Sequence, residues 1–200
     1  MIFADLSIYH STLEEWPIEK LMQSHPDWSQ AYSMQQVHGD HIENISELSA
    51  LTVIPECDAL FSENKKQVLI IKTADCVPLA ITDLKTNRFA GVHAGRAGTE
   101  KKILKKTLQT FIKQGSKPED LYIYLGPSIG PCCYEINRDT HQVYDLWQNN
   151  LSQALELGVP AQNIHVSGIC TRHHFPKKYY SYRGGDLEKR FFTVISKIQS

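Results

Sequence analysis

Short apolar runs along the chain predict several β-strands. The clearest is Val68–Thr73, a β-branched and almost wholly apolar run that is typical of a strand buried on both faces. Further strands are predicted by apolar runs at residues 31–37, 79–82, 88–93, 121–125, 164–166 and 191–195. These predicted strands are spread along the chain from residue 31 to residue 195.

Helical periodicity appears in three places, at residues 13–22, 99–114 and 138–155. The central helix is the clearest of them. Its apolar stripe consists of Ile103, Leu104, Leu108, Phe111 and Ile112. We predict that Thr99 is its N-cap and that Gly115 ends it.

The order of these elements predicts the fold class. Strands and helices both occur, but they do not alternate strictly as in a doubly wound sheet. A length of 200 residues suits one domain, and no repeat or linker interrupts the chain. We therefore predict a mixed α/β fold, with residues 1–200 forming a single-domain layered sandwich.

Composition and charge exclude several classes of protein and of binding partner. The hydrophobic fraction of 42% excludes a disordered or fibrous chain, and a net charge of -1 argues against nucleic-acid or anionic-membrane partners. The longest aliphatic run, at residues 68–71, is far shorter than the roughly 20 residues that span a bilayer. Cysteines occur at 57, 76, 132, 133 and 170 without an export signal. We expect free thiols in the cytoplasm.

Three potential metal ligands follow predicted strands: His38, Cys76 and His93. Strand ends hold side chains rigidly, so these residues can converge at one sheet edge. Two imidazoles and a thiolate suit zinc, and three protein ligands leave one tetrahedral position open for catalysis. Their spacing matches no local zinc motif, and the alternative is two turn histidines and a buried cysteine.

Two glycine-bracketed loops are candidates for binding phosphate or ribose. Residues 93–99 precede the central helix, and residues 126–130 include the hydroxyl of Ser128. Glycine permits close backbone approach, and a helix N-terminus presents free N–H groups to an anion. Alternatively, each loop is a tight turn beside an ordinary helix cap.

Ordered motifs between about residue 34 and the C-terminus resemble a known family. They are Gln36-Val37-His38-Gly39, Cys57-Asp58-Ala59-Leu60, Thr73-Ala74-Asp75-Cys76-Val77-Pro78, Val92-His93-Ala94-Gly95, residues 126–135 and Ser181-Tyr182-Arg183. Together they are similar to the polyphenol oxidoreductase laccases, also called peptidoglycan editing factors. This family is now regarded as zinc-dependent purine nucleoside phosphorylases.

The resemblance implies two mixed sheets packed between helical layers. It also implies a zinc ion on His38, Cys76 and His93, with copper a less favoured occupant. The implied reactions are phosphorolysis of adenosine, inosine and methylthioadenosine to base and ribose-1-phosphate, and hydrolytic deamination of adenosine. The expected small-molecule partners are purine nucleosides and phosphate, handled by a monomer or a small homo-oligomer.

The chain departs from the family pattern around the expected phosphate site. The family loop reads His-Ala-Gly-Trp-Arg-Gly, whereas here Arg96 and Ala97 follow Gly95, and no arginine precedes Arg88. Phosphorolysis needs cations to hold phosphate beside the sugar. We expect Arg183, Arg96 and loop amides to supply this contact, and we expect Ser128 to contact substrate.

Deamination additionally requires an acid or base beside the metal. Asp75 is the predicted catalytic carboxylate, and Glu135 is the other candidate. The alternative for Asp75 is a structural role in which its carboxylate caps a turn.

Other functions remain open from the residues alone. Cys76 as nucleophile and His93 as base would suit a Cys–His hydrolase or deamidase. Copper oxidation of phenols is disfavoured because the chain lacks His-X-His pairs. A non-catalytic binding domain is the last alternative.

Two other groups of potential ligands are set aside. Adjacent Cys132 and Cys133 cannot both face one site from an extended strand, so one of them is expected in the core. His173 and His174 lie in a basic segment that we expect to be a solvated surface loop.

Overall fold

The computed structural model of the chain describes residues 1–25, 28, 30–49 and 52–198. Its strands are β1 (Ile2–Phe3), β2 (Leu6–His10), β3 (Ala31–Met34), β4 (Ile42–Asn44), β5 (Thr52–Ile54), β6 (Ala59–Ser62), β7 (Val68–Thr73), β8 (Val77–Asp83), β9 (Phe89–Ala94), β10 (Leu121–Leu125), β11 (Glu135–Asn137), β12 (Gln142–Val143), β13 (Ile164–Val166) and β14 (Phe191–Lys197). Its α-helices are α1 (Ile18–Ser24), α2 (Arg96–Glu100), α3 (Ile103–Lys113), α4 (Leu146–Glu156) and α5 (Thr171–His174). Short 3-10 turns lie at Leu13–Glu15, Pro118–Asp120 and Ala161–Asn163.

Two six-stranded mixed sheets organise the fold. The first has the order β1-β2-β14-β7-β3-β5, and the second has the order β13-β10-β8-β9-β6-β4. In the first sheet, β7 pairs antiparallel with β14 and parallel with β3. In the second, β8 lies antiparallel to both β9 and β10. Strands β11 and β12 form a separate two-stranded ribbon.

The sheets pack face to face and helices cover their outer faces. Leu69 and Ile71 of β7 meet Ala80 of β8 and Phe89 of β9 in a fully buried layer. The apolar side of α3 and α4 packs on the outer face of the second sheet, and α1 packs on the first. This arrangement confirms the predicted mixed α/β sandwich between helical layers. None of the described helices has the length and apolar character needed to cross a membrane.

The strand predictions were accurate in the core. Strands β7, β10 and β13 have the predicted bounds, β8 and β14 extend slightly beyond them, and β9 is shifted by one residue toward the C-terminus. The exception is the strand predicted at 31–37, which ends at Met34. Beyond it the chain turns, and His38 takes a left-handed backbone conformation with φ 57°.

The helix predicted at 99–114 is two helices. Helices α2 and α3 are separated at Lys102, whose φ of 64° breaks the helical path. Thr99 is inside α2, whose N-cap is Gly95, so the predicted N-cap was wrong. The Thr99 hydroxyl instead accepts a hydrogen bond of 3.0 Å from Asn150 Nδ2 of α4. Gly115, with φ 92°, directly follows Gln114, the C-cap of α3, as predicted for the end of this helix.

The two remaining helix predictions were right only in part. Of the residues 138–155, which were predicted to be helical, residues 138–143 form a turn and β12. Helix α4 begins only after Asp145, which N-caps it by accepting from Gln148 N at 2.9 Å. Residues 13–22 form a 3-10 turn followed by α1, with the break at Pro17. Proline lacks an amide hydrogen and is tolerated only at the start of a helix.

Acidification is expected to destabilise this fold through His10, which lies between the two sheets. Its Nδ1 lies 2.9 Å from Thr193 Oγ1 and its Nε2 lies 3.1 Å from Tyr124 Oη. Burial, together with the charges of the N-terminus and Lys178, lowers the pKa of His10 to about 4. The unfolded chain, with a histidine pKa of about 6.5, therefore binds the proton first as the pH falls.

We expect the free energy of unfolding to fall by about 2 kcal/mol between pH 7 and pH 5 from this group alone. Urea unfolding at several pH values checks this, with the His10→Gln variant as control. The variant should show a flatter dependence on pH. Parallel curves for the two proteins would contradict the assignment to His10.

Candidate metal site and its cavity

The structure brings His38, Cys76 and His93 together where three strands end. His38 lies in the turn after β3, Cys76 lies between β7 and β8, and His93 lies near the end of β9. One ligand atom from each residue lies within 4.8 Å of those of the other two. Cys76 Sγ is 3.8 Å from His38 Nε2, and the two imidazole rings are nearly perpendicular with centroids 4.8 Å apart.

Asp58 holds two of the three ligands in place through hydrogen bonds. It is fully buried just before β6, and its Oδ1 lies 2.7 Å from His93 Nδ1. The same carboxylate accepts hydrogen bonds from the backbone N–H groups of Val37, His38 and Gly39, at 3.2, 3.0 and 2.7 Å. One side chain therefore orients the His93 ring and holds the turn that carries His38.

The buried surroundings shift the protonation of these groups. Burial alone would raise the pKa of the Cys76 thiol, but His93 and His38 outweigh it and lower that pKa to about 6. Burial likewise acts to lower the pKa of His93, but Cys76 and Asp58 raise it to about 9. Hydrogen bonds from His93 and from backbone N–H groups hold the pKa of Asp58 below its usual range, against the effect of burial. Cys76 therefore carries a thiolate at neutral pH.

This donor set fits a zinc ion. A thiolate and two imidazoles are the ligands that zinc prefers, and three of them leave a position open for chemistry. With Nδ1 of His93 directed at Asp58, its Nε2 is the nitrogen left for a metal. Carboxylate–histidine pairs of this kind are a common outer shell of zinc sites.

Gly95 and Gly98 have a packing role beside the ligands. A Cβ atom on Gly95 would lie 2.9 Å from Cys76 Sγ and 3.0 Å from the His38 ring. A Cβ atom on Gly98 would lie 2.9 Å from the carbonyl oxygen of Gly39. These glycines let α2 approach the metal ligands closely. The glycines of residues 93–99 therefore serve close packing, which matches the tight-turn alternative for this loop better than an anion-binding role.

A cavity of about 620 Å³ opens over the three ligands. Four basic side chains line it: Lys72, Arg96, Arg183 and Arg190. Aromatic side chains line it as well, namely Trp16, Tyr134 and Tyr182. The cavity therefore combines a candidate metal, positive charge and flat apolar surfaces, and its volume is typical of small-molecule sites.

The structure places Arg183 and Arg96, two of the residues predicted to contact substrate, at the lining of this cavity. The Arg183 guanidinium stacks 5.2 Å from the centre of the Tyr134 ring and donates to the carbonyl oxygen of Glu135 at 3.2 Å. Arg96 is exposed and its Nε is 3.7 Å from Glu100 Oε1. Each guanidinium keeps further donors for a ligand.

Asp75 lines the cavity, but its carboxylate already holds the surrounding loops. Its Oδ1 accepts from the Thr171 hydroxyl and its Oδ2 accepts from the backbone N–H of Arg183, both at 2.7 Å. Its φ of 85° places it in a tight turn. These contacts match the structural alternative stated for Asp75. The other candidate, Glu135, lies 2.9 Å from His141 Nδ1 and does not line the cavity among the described residues.

Ser128 does not reach the cavity in this structure. It is fully buried, and its hydroxyl accepts a hydrogen bond of 2.7 Å from Trp147 Nε1. The backbone around it pairs with the chain near Cys170. The loop at 126–130 thus contributes to the cavity through Ile129 and not through the predicted hydroxyl.

The interpretation of the paired cysteines as unable to share a site was wrong. Residues 131–133 form a turn in which the N–H groups of Cys133 and Tyr134 both donate to the Gly130 carbonyl. A turn, unlike a strand, can direct neighbouring side chains to one side. Cys132, Cys133, Cys170 and His173 come within 4.8 Å of one another. His173 is exposed, as predicted, but it lies in the short helix α5 and not in a loop. Its Nε2 is 3.2 Å from Cys133 Sγ.

Sequence reasoning assigned no role to Gln36 and Asp58, although both lie in the quoted motifs, and it missed Lys72 and Arg190. Gln36 clamps β7 through two hydrogen bonds to the backbone of Lys72, at 2.7 and 2.9 Å. A signal existed for Asp58, because a carboxylate directly before the apolar run 59–61 needs a buried partner. The two cations lie far apart in the sequence, and only folding brings them to one cavity.

Comparison with known proteins shows which sequences the chain is similar to. It matches the family described as multi-copper polyphenol oxidoreductase laccase over residues 18–144 and 137–196. A protein of Clostridium acetobutylicum named purine nucleoside phosphorylase is 31% identical over 184 residues, which cover 82% of this chain and 75% of that protein. A protein of the same name from Bacteroides thetaiotaomicron is 29% identical, covering 78% of this chain and 67% of its own length.

Solved structures share the fold. YlmD from Geobacillus stearothermophilus superposes with a TM-score of 0.81 at 24% identity, over 90% of this chain and 78% of that chain. The Bacillus licheniformis hypothetical protein YfiH gives the same TM-score at 22% identity, over 92% and 82%. At these identities the structural match establishes the architecture alone.

Proposed function

The chain belongs to the multi-copper polyphenol oxidoreductase laccase family, and from this premise we propose that it is a zinc-dependent purine nucleoside phosphorylase. The proposed substrates are adenosine, inosine, methylthioadenosine and phosphate. The observation that carries the proposal is the cavity that places His38, Cys76 and His93 beside four basic side chains. The printed names of the relatives agree with this function.

The proposed reaction exchanges one bond at the sugar. A phosphate oxygen forms a bond to C1′ as the bond from C1′ to the purine nitrogen breaks, and the bonding electrons leave with the base. Arg183, Arg96, Lys72 and Arg190 would hold the phosphate dianion against C1′, since charge-assisted contacts are the strong ones at such sites. This set extends the cations expected from sequence by two.

The remaining parts of the cavity suit the nucleoside. Tyr134 and Tyr182 offer ring faces on which a purine can stack, and the apolar side chain of Ile129 excludes water beside them. A zinc ion on His38, Cys76 and His93 would supply a Lewis acid that polarises a bound oxygen or nitrogen. Asp58 would keep the His93 ring in the orientation and tautomer that a metal ligand requires.

We also propose that the protein deaminates adenosine. In this reaction water adds at C6 of the purine and ammonia leaves, so a side chain must carry a proton between them. Asp75 is the proposed proton carrier because it lines the cavity and each of its oxygens keeps a second lone pair. Glu188 also lines the cavity and is the alternative.

Product analysis of zinc-loaded protein with each nucleoside, with and without phosphate, tests both activities. Phosphorolysis of adenosine should yield adenine and ribose-1-phosphate only when phosphate is present. Deamination should yield inosine whether or not phosphate is present. The absence of any product from all three nucleosides would contradict the proposal.

A Cys–His hydrolase is the second candidate, and one observation favours it. The Cys76 thiolate, His93 and Asp58 form a chain of nucleophile, base and orienting carboxylate. In that case the thiolate attacks an amide carbon, His93 delivers a proton to the departing ammonia, and water hydrolyses the thioester. Metal-free protein would then release ammonia from amide substrates and lose this activity on alkylation of Cys76.

Removing a cavity cation is expected to weaken phosphate binding selectively. Arg183→Gln and Lys72→Gln should each raise KM for phosphate by roughly 10- to 100-fold, because one charged hydrogen bond contributes about 1.5–3 kcal/mol. KM for the nucleoside should change much less. Initial rates at varied phosphate measure this, with Arg138→Gln at an exposed arginine outside the cavity as matched control. An unchanged KM for phosphate in both variants would remove these residues from the phosphate site.

We propose further that residues 1–200 act as one domain in the cytoplasm. All five cysteines are unpaired, which suits a reducing compartment. The nucleoside function needs no other macromolecule, and a monomer or small homo-oligomer would serve it.

A further inference from the structure

A second cluster of metal-binding atoms lies beside the cavity and takes no part in the proposed reaction. It consists of Cys132, Cys133, Cys170 and His173. One ligand atom of each residue lies within 4.8 Å of those of the other three. Cys170 is buried, Cys133 is half-buried, and Cys132 and His173 are exposed. The cluster joins two segments that are distant in the sequence.

Backbone turns and hydrogen bonds bring the four side chains together. The turn after Gly130 presents both adjacent cysteines, and its Gly130 N–H donates to Cys170 Sγ at 3.3 Å. Cys133 Sγ is 3.2 Å from His173 Nε2. An N–H group directed at a cysteine sulfur is the outer contact that stabilises a metal thiolate.

We propose that these four residues bind a structural zinc ion. Three sulfurs and one imidazole nitrogen are one of the ligand sets of tetrahedral structural zinc sites. In such sites the sulfurs lie about 3.8 Å apart, as Zn–S bonds of roughly 2.3 Å require, so the cluster needs only a small contraction to close. Four protein ligands leave no open position, and the ion has no role in catalysis. The inference does not depend on the nucleoside reaction.

The bound zinc would join two walls of the cavity. The first segment carries Ile129 and Tyr134, which line the cavity. The second begins at Cys170, and the adjacent Thr171 donates its hydroxyl to Asp75 at 2.7 Å. Cross-linking the two segments would hold the Tyr134 ring and the Asp75 turn in a fixed relation.

Zinc content of protein purified with zinc and a thiol reductant tests the proposal. Wild type should contain about two zinc ions per chain, one per site. The Cys132→Ser/His173→Ala double variant should contain about one, since two of four ligands are lost. Both replaced residues are exposed, so the core packing is retained. His174→Ala, at the exposed neighbouring histidine, is the matched control and should keep the wild-type content.

The His38→Asn variant separates the two sites. It should also contain about one zinc, and combining it with the double variant should leave roughly none. A wild-type content of about one that His38→Asn abolishes would overturn the second site. So would a folded double variant with undiminished zinc, or thiol counting that finds two of the three cluster cysteines joined in a disulfide. A second check is the thermal midpoint, which a chelator should lower in His38→Asn but not in the combined variant.

Discussion

Replacing His38 with asparagine is expected to remove the metal from the cavity and to lower kcat/KM for phosphorolysis by roughly 10³-fold or more. A metal ion stabilises developing charge by several kcal/mol, and about 1.4 kcal/mol corresponds to a tenfold change in rate. His38 is exposed, and asparagine tolerates the left-handed backbone at this position better than most replacements other than glycine. The free energy of unfolding of the metal-free protein should therefore change little.

Metal content, steady-state rates and urea unfolding on one preparation check this result. The matched control is His41→Asn, because His41 is an exposed histidine in the same loop that pairs with Glu43 and is outside the ligand group. It should behave as wild type. Cys76→Ser should reproduce the loss of metal and activity. Full metal occupancy in both His38→Asn and Cys76→Ser would exclude this ligand set.

Replacing Asp58 with alanine should have the largest effect on stability, lowering the free energy of unfolding by about 3–5 kcal/mol. The change removes a buried carboxylate and leaves His93 and three backbone N–H groups without their acceptor. For a chain of this size the thermal midpoint should fall by roughly 6–20 °C. Differential scanning calorimetry measures it.

Asp58→Asn separates the two roles of this residue. The single amide oxygen can still accept from the N–H groups of Val37 and Gly39, so the loss of stability should be smaller than in Asp58→Ala. The neutral amide orients His93 less well, and metal affinity should fall by roughly 10- to 100-fold. Competition with a chromogenic chelator reports that affinity. A normal thermal midpoint in Asp58→Ala would show that the buried carboxylate is not the anchor of the site.

Local patterns were sufficient where the apolar positions alone define the element. Val68–Thr73 is apolar at nearly every position, and it forms β7 with the predicted bounds because both of its faces are covered. The same reasoning failed at residues 99–114. There the predicted helix runs through Lys102, whereas the left-handed backbone of Lys102, with φ 64°, separates α2 from α3. Periodicity records which face is buried and does not record such a break.

In the candidate site, too, some residues could be identified from the sequence and one could not. Residue chemistry at strand ends, together with the family resemblance, selected His38, Cys76 and His93, and the fold brings them together. The hydroxyl of Ser128 was selected because its loop is rich in glycine, but Trp147 occupies it. That contact depends on α4, which is distant in the sequence. No local pattern could indicate it.

By itself, the sequence determined the fold class, the identity of the three candidate ligands and the expectation of a cation at Arg183, since each depends on residue type, local order and the family motifs. Only the tertiary structure decided what surrounds them. It decided three arrangements that join segments far apart in the chain. They are the contact of Asp58 with His93, the placement of Lys72 and Arg190 in the cavity, and the cluster around Cys170. The physical reason is that hydrogen bonds, charge and metal ligation act over a few ångströms in space, and folding sets those distances.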